Sequence, residues 1–440
     1  MDDNIIKKIL PEKINSKTAA VGVIGLGYVG LPLAVEIAKS GYKTIGFDVQ
    51  AAKVEMVNEA RNYIDDIDPD DLRNAVADGK LRATYDFAYI NELDCVIMCV
   101  PTPLDEYFQP DITYIIKASE QISKYMHGDM LIILESTTYP GTTDDVVRPI
   151  LEKSGLKCGK DFYLAFSPER IDPGNKVYKT RNTPKVVGGV TPACTDAAAL
   201  LYDNVLDSEV LKVSSPKVAE MEKIHENTFR NVNIALANEM AIICDKMGID
   251  VWEVIEAAKT KPYGFMPFYP GAGVGGHCIA VDPFYLTWKT REYGYHTKLI
   301  ETAGEINNSM PEFVLDRTMK ILNRFGKALN GSKVLVLGAA YKPDINDVRE
   351  SPALKVMDLL VKNGADLSYN DPYVGHFSYK GRDYHSVELD AEILNEADIV
   401  IITTAHTDYD YDFIQRNSKF IFDTKNAMKD VMDRTNIEKL

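Results

Sequence analysis

Apolar residues fall in short blocks along the first half of the chain. The blocks are "AVGVIGL", "YKTIGFDV", "LDCVIMCV", "DMLIIL", "DFYLAF" and "PKVVGGV". Each is rich in β-branched or aromatic residues and is bounded by Gly, Pro, Asp or Thr, the pattern of a strand buried on both faces. Between the first two, "LPLAVEIAKSG" has helical spacing and ends at Gly41, a C-terminal cap. Strands alternating with helices predict a parallel sheet. A second series begins with "KVLVLG" and continues through "ADLSYN", "ADIVIITT" and "KFIFDT". Between the two series, Ser215 is an N-cap and Pro216 the first residue of a helix that meets no Gly or Pro before Gly248. Its 32 residues predict a length of about 48 Å, enough to connect two domains and to carry a dimer interface. Further helices extend to about Asn330, interrupted by a glycine loop. The expected fold is α/β: two Rossmann-like, doubly wound sheet domains joined by a long central helix and a helical domain. The expected boundaries are 1–17 for an N-terminal extension, 18–213, 214–330 and 331–440.

At 440 residues, 45% apolar and 26% charged, the chain has the composition of a globular protein with a large core. No apolar run approaches a membrane span, and the N-terminus lacks the basic start and apolar stretch of a signal peptide. The scattered cysteines show no zinc spacing, and no metal is expected; those other than Cys278 read as reduced cytoplasmic thiols. The net charge of −16 comes without a basic stripe, which argues against nucleic acid. A small anion held by local donors remains compatible with it.

"GLGYVG" supplies Gly25, Gly27 and Gly30 between a strand and a helix, with Asp48 ending the next strand. The glycines permit a tight turn, close approach of a pyrophosphate and helix–strand packing; the acid binds ribose hydroxyls and repels a 2′-phosphate. NAD is the expected cofactor. The turns "PTP", "ESTTYPG" and "SPERIDPG" fall at the carboxyl edge of the sheet, where such folds bind ligands.

"PGAGVGGHCIAVDPFYL" places Cys278 on a glycine loop, with Asp282 four residues on. The cysteine is either a small packed hydrophobe or a nucleophile that an aldehyde must reach. Lys223 and Asn227 are four apart and share a helix face. They are a solvated polar pair or an alkoxide-stabilising one. Glu169 is a base or the ion-pair partner of Arg170, Thr137 a water-holding or a turn hydroxyl, and His277 a neighbour pointing away from Cys278 or paired with it.

The motifs "GLGYVGLPLA", "VPTPLD", "ESTTYPGTT", "SPERIDPG", "EKIHENTFRNVNIALANE", "GVGGHCIAVDPFYL" and "AYKPDINDVRESPA" together resemble the UDP-glucose/GDP-mannose dehydrogenase family from about Ala19 to the C-terminus. "SPERIDPG", "ENTFRNVNIA" and "GHCIAVDPFYLTWK" resemble the branch that acts on UDP-N-acetylhexosamines. The resemblance implies a four-electron oxidation of a sugar C6 alcohol with two NAD. UDP-N-acetylglucosamine is the expected substrate; its mannosamine and galactosamine epimers and UDP-glucose are the alternatives. It makes Cys278 the covalent nucleophile and Lys223 the acid/base at the C6 oxygen, with Asn227 beside it. Asp282 positions water or the thiol's surroundings, Thr137 holds the hydrolytic water and Glu169 is the base for hydrolysis. It adds Tyr28, Val29, Thr102, Thr137 and Arg349 to the cofactor's contacts. Arg170, Arg230, Tyr269, Gly275, Tyr341 and Lys342 join those of the UDP-sugar, with Arg230 near the N-acetyl group. It also implies a homodimer or higher homo-oligomer built on the long helix. The family's cross-subunit arginine is missing before the glycine loop, where either Lys261 substitutes for it or the contact is absent; Tyr263, Phe265, Phe268 and Tyr269 there either stack on uracil or pack the loop.

Overall fold

In the computed structural model, which describes residues 9–64, 66–105, 109–172, 174–175 and 177–440, the chain divides into two units. The first runs to Glu226 and includes Phe284–Tyr295; the second comprises Asn227–Pro283 and His296–Leu440. The start of the expected N-terminal extension and the His277 side chain lie outside the described residues. The rest of the extension is helical over Ile9–Asn15 and buries Leu10 and Ile14 in the first unit's core.

The first unit is built on β1 (Ala20–Ile24), β2 (Lys43–Phe47), β3 (Leu81–Thr84), β4 (Cys95–Met98), β5 (Leu131–Leu134), β6 (Tyr163–Phe166), β7 (Lys185–Gly189) and β8 (Val210–Val213). They lie in the order β3-β2-β1-β4-β5-β6-β7-β8. β4 and β5 are buried at every position, because helices cover both faces of the sheet. All neighbours are parallel except β6 and β7, whose pairing is antiparallel (Phe166 opposite Gly188). That reversal places the start of β7 at the edge where the parallel strands end. The order also reverses between β1 and β4, the switch point at which open α/β sheets bind ligands.

The second unit carries β9 (Lys333–Leu337), β10 (Asp366–Asn370), the hairpin β11–β12 (His376–Tyr379, Arg382–His385), β13 (Ile399–Ile402), β14 (Ile421–Asp423) and β15 (Ile437–Lys439). The parallel sheet has the order β10-β9-β13-β14-β15. The two sheets end their first strands in the same way. Gly25 (φ +95°) donates to Phe47 O at 2.7 Å, and Leu26 N donates to Asp48 Oδ2 at 3.0 Å. Gly338 (φ +91°) donates to Asn370 O at 2.9 Å, and Ala339 N and Ala340 N donate to Asp371 Oδ2 at 2.7 and 2.9 Å. Left-handed φ favours glycine at both turns, and an aspartate gathers the amides that follow.

The helix Pro216–Met247 begins in the first unit and ends in the second, with Gly248 (φ +69°) closing it. Glu222 and Glu226 are one turn apart on it, and both meet Arg170. Burial, then Glu226, pushes the Glu222 carboxyl up to about 7, and its Oε2 is buried without a hydrogen-bond partner. A carboxyl raised on folding favours the folded state below its unfolded value of 4.5, and that advantage is lost as the pH rises through 7. Glu222→Gln is therefore expected to raise the thermal midpoint at pH 8, by about 1–2 kcal/mol of stability once solvent screening is allowed for. At pH 4 to 5 it leaves the midpoint unchanged. Thermal unfolding at the two pH values checks this.

Candidate active site

The turn after β1 is shaped for a dinucleotide. A Cβ on Gly25 would lie 2.5 Å from Cys99 O, and one on Gly30 would lie 1.8 Å from Gly25 O, so both positions require glycine. A Cβ on Gly27 would meet nothing within 4 Å: the backbone there faces open space, as a pyrophosphate requires. The helix that follows, Gly30–Lys39, has Val29 as N-cap and no side-chain cap, which suits an anion at its N-terminus. Gly25, Gly27 and Asp48 line a cleft of about 660 Å³ with Phe87, Lys117 and Tyr125. Asp48 also accepts from Gln50 N at 2.9 Å and has Lys53 Nζ 3.8 Å from its Oδ2; the two amides take one lone pair on each oxygen, and a carboxylate has further acceptor sites for ribose hydroxyls. The residues fit NAD. Tyr28 is exposed beside Gly27, and Thr102, buried after β4, accepts from the Tyr285 hydroxyl through its carbonyl.

At the carboxyl edge of β5 and β6 the first unit brings together Glu169, Lys223 and Arg170. Lys223 Nζ donates to the backbone carbonyl of Glu169 at 2.5 Å, and both side chains are buried. The Glu169 carboxylate accepts from Arg170 N and Ile171 N, each at 2.8 Å. The Arg170 guanidinium turns to the long helix, where Glu222 and Glu226 hold it, and donates to Pro184 O at 3.0 Å. The ion pair considered between Glu169 and Arg170 is thus made by Lys185 instead, 3.0 Å from Glu169 Oε2. Burial opposes the charge on Glu169, yet Lys185 and the amides hold the carboxyl below its usual range. Thr137 is half-buried on the turn after β5. Buried Glu220 of the long helix pins that turn, accepting from Gly141 N at 2.5 Å and Thr143 N at 2.8 Å.

In the second unit Asn227 Nδ2 donates to Asp282 Oδ2 at 2.5 Å, again with both side chains buried. Cys278 is exposed, but on a helix, His277–Thr290, and not on a loop as the glycine run suggested. The loop ends at Gly276 (φ +80°) and the helix starts at the next residue. Pro283 lies inside that helix and has no N–H to offer the carbonyl of Ile279. Asn231 Nδ2 supplies that donor at 3.0 Å. The helix puts Cys278 and Asp282 on one face, with the thiol in the first turn, where the helix dipole favours negative charge. The glycines allow close approach, but of the protein's own turn: a Cβ on Gly275 would lie 2.7 Å from Tyr341 Cβ and 2.8 Å from Pro352 Cδ, and one on Gly276 would lie 2.8 Å from the Tyr341 ring. Gly276 N donates to Arg349 O at 3.2 Å. The Arg349 side chain is exposed and paired with Asp347, and Lys342 is half-buried on the same turn. Arg230 is exposed on the long helix. Tyr269 stacks on Trp252 at 6.0 Å and donates to Glu256 Oε1 at 2.7 Å, Phe268 packs edge-on against Phe229, and Lys261 lies over the Tyr263 ring.

Sequence reasoning missed the groups that hold these side chains. Asn238 Nδ2 donates to Asn307 Oδ1 at 2.9 Å and its Oδ1 accepts from Gly271 N at 3.0 Å, fixing the start of the glycine loop. The spacing of Asn227, Asn231 and Asn238 places all three on one helix face, a signal that was available. Lys185 and Glu135 carried none, since their contacts cross between strands. Among the described residues no cluster could hold a metal, and no helix is long and apolar enough to cross a membrane.

Three family models match in order: the UDP-glucose/GDP-mannose dehydrogenase NAD-binding domain over 19–206, its central domain over 217–309 and its UDP-binding domain over 335–430. The chain is 38% identical to Protein CapL of Staphylococcus aureus, covering 92% of this chain and 95% of that one. It is 37% identical to a UDP-N-acetyl-D-glucosamine 6-dehydrogenase of Pseudomonas aeruginosa, covering 89% and 92%. Among solved structures, the UDP-D-ManNAc dehydrogenase of Pyrococcus horikoshii matches with a TM-score of 0.86 at 33% identity, over 96% of this chain and 98% of that one. A nucleotide turn built for NAD, a UDP-binding module and this likeness over nearly the whole length place the chain in the UDP-glucose/GDP-mannose dehydrogenase family, as an NAD-dependent nucleotide-sugar oxidoreductase.

Proposed function

We propose that the chain oxidises the C6 hydroxyl of a UDP-N-acetylhexosamine, UDP-N-acetylglucosamine in the first place, to the carboxylate through a thioester on Cys278. The observation that carries this reading is the exposed thiol in the first turn of a helix, one turn before an aspartate that Asn227 fixes. Two NAD, bound one after the other at Asp48 and the turn of Gly25, Gly27 and Gly30, would supply one hydride acceptor for each oxidation. Lys223 takes the hydroxyl proton and then stabilises the C6 oxygen, with the Asn227 amide as a second donor. The Cys278 thiolate adds to the C6 aldehyde as Lys223 returns its proton to the oxygen, and the thiohemiacetal then gives that proton back to Lys223 as it loses the second hydride to become a thioester. Thr137 holds a water and Glu169 takes its proton as the water's oxygen attacks the thioester carbonyl. The carbon–sulfur bond breaks and the thiolate is restored. Asp282 orders the helix turn that carries the thiol.

The UDP end belongs to Tyr341, Lys342 and Gly275, and Arg349 serves the cofactor. The N-acetylhexosamine reading rests on the "GHCIAVDPFYL" and "ENTFRNVNIA" stretches, and glucosamine within it on the name of the Pseudomonas relative. The Pyrococcus name favours mannosamine as the second reading. Arg230 is the residue we place at the N-acetyl group. The enzyme works in the cytoplasm as a homodimer. Phe229, Leu236 and Ile243 are exposed at seven-residue intervals on the long helix, the stripe a second copy would cover.

About two NADH are expected per UDP-N-acetylglucosamine consumed, and Cys278→Ser is expected to abolish steady turnover. NADH absorbance set against uronate formed checks this; one NADH per sugar, unchanged in the variant, contradicts it. Inactivity with this sugar and turnover with its mannosamine epimer would select the second reading. Gly27→Ala is expected to leave the thermal midpoint unchanged and raise KM for NAD by about tenfold or more, since the methyl group occupies pyrophosphate space. Gly30→Ala is expected to lower the midpoint, because its methyl group meets Gly25 O. Thermal unfolding and NAD titration separate the two.

A further inference from the structure

The strand ends around Glu169 carry more charge than the hydrolytic role of that residue uses. Lys185, the first residue of β7, is 4% exposed, and its Nζ lies 2.9 Å from Glu135 Oε1 and 3.0 Å from Glu169 Oε2. Glu135 follows β5 and is 1% exposed. It also accepts from the Tyr202 hydroxyl, and from the Cys99 thiol at 3.6 Å. The antiparallel pairing of β7 with β6 brings Lys185 to this edge; a parallel strand would carry its first residue to the opposite end. The cluster therefore holds one ammonium between two buried carboxylates.

Of the two carboxylates that share Lys185, Glu135 is the group that opposes the Glu169 anion. Lys185 and the amides of Arg170 and Ile171 meet the carboxylate directly. Lys223 is held on the carbonyl of the same residue, and the Arg170 guanidinium faces Glu222 and Glu226. Burial raises Glu135, whereas Glu169 is held low despite burial. Two buried carboxylates next to each other cannot both be ionised without a cation between them.

We propose that Lys185 is a positioning residue that holds Glu169 as an oriented, ionised proton acceptor, with Glu135 as the counter-carboxylate that retains the lysine while Glu169 carries the proton taken from water. This rests on the role of Glu169 proposed above. The water's O–H bond breaks, its proton passes to Glu169, and the Lys185 charge is then shared with Glu135 alone. When the acid is released, the proton leaves Glu169 and the first arrangement returns.

The test compares Lys185→Met, Lys185→Arg, Glu135→Gln and Glu169→Gln in the full-length protein. The readouts are the pH profile of kcat with UDP-N-acetylglucosamine and the carboxyl titration of δ-¹³C-glutamate by NMR. The resonance missing from Glu169→Gln assigns the residue. Lys185→Met is expected to move the Glu169 titration, and the acid limb of kcat with it, up by about one to three pH units, and Lys185→Arg to return both towards wild type. Glu135→Gln removes the rival for the lysine and is expected to move both down, with KM for the sugar unchanged. Opposite shifts from two neighbouring variants are not what a purely structural cluster gives. Shifts in one direction, or no shift in either variant, overturn the proposal. If Lys185→Met fails to fold, the downward shift in Glu135→Gln decides alone. Wild-type turnover in Glu169→Gln, with the titrations shifted as described, removes Glu169 from the hydrolysis and leaves the coupling standing.

Discussion

One turn of the long helix separates Lys223 from Asn227, and the chemistry we propose depends on both being held. A lysine and an asparagine on a solvated helix face would sample many rotamers and offer no fixed donors. Here Lys223 is tied to the carbonyl of Glu169 and Asn227 to the carboxylate of Asp282, each pair buried within its own unit. The uninterrupted backbone between them sets their spacing at one helical pitch. The polar-face reading of this pair therefore gives way to a buried one.

Burying these groups is costly, and the chain offsets the cost locally. Glu169 has two amides and a lysine, Glu220 two amides and a hydroxyl, Asp48 two amides, and Asp371 two amides on one oxygen with His406 Nε2 at 3.0 Å. Each carboxylate takes backbone amides from a turn at the carboxyl edge of a sheet. The polar groups that shape the turns are thus also what keeps those turns from being a loss. Pro283 shows the same economy: the carbonyl it leaves without a backbone donor receives one from Asn231.

The dinucleotide turn was legible because its information is local. Three glycines and an acid sit within one strand–helix–strand unit, and each glycine's requirement follows from atoms a few residues away or on the neighbouring strand. The long helix was legible because nothing in it breaks the pattern and Pro216 and Gly248 mark its ends. Other features were hidden by non-local pairing. The antiparallel turn of β7 is decided by contacts with β6 and β8, so neither Lys185 nor its link to Glu135 could be read from "PKVVGGV". The hairpin β11–β12 is not legible in the sequence, since its exposed polar residues give strands no apolar run. Cys278 was assigned to a loop because of the glycines before it; the helix that carries it includes Pro283 and survives through Asn231, a residue on another element. The atoms that lie close to Gly275 and Gly276 belong to Tyr341 and Pro352, far along the chain, so the sequence does not reveal them.

The central claim is that Cys278 carries the sugar as a thioester that Glu169 helps to hydrolyse. Mass spectrometry of Glu169→Gln, mixed with UDP-N-acetylglucosamine and NAD and quenched in acid, tests it directly. The account predicts an intact mass increased by one oxidised nucleotide sugar, with the addition mapped to the peptide that contains Cys278 and absent from the Cys278→Ser double variant. NADH formation without any adduct, or an adduct at another residue, would contradict it.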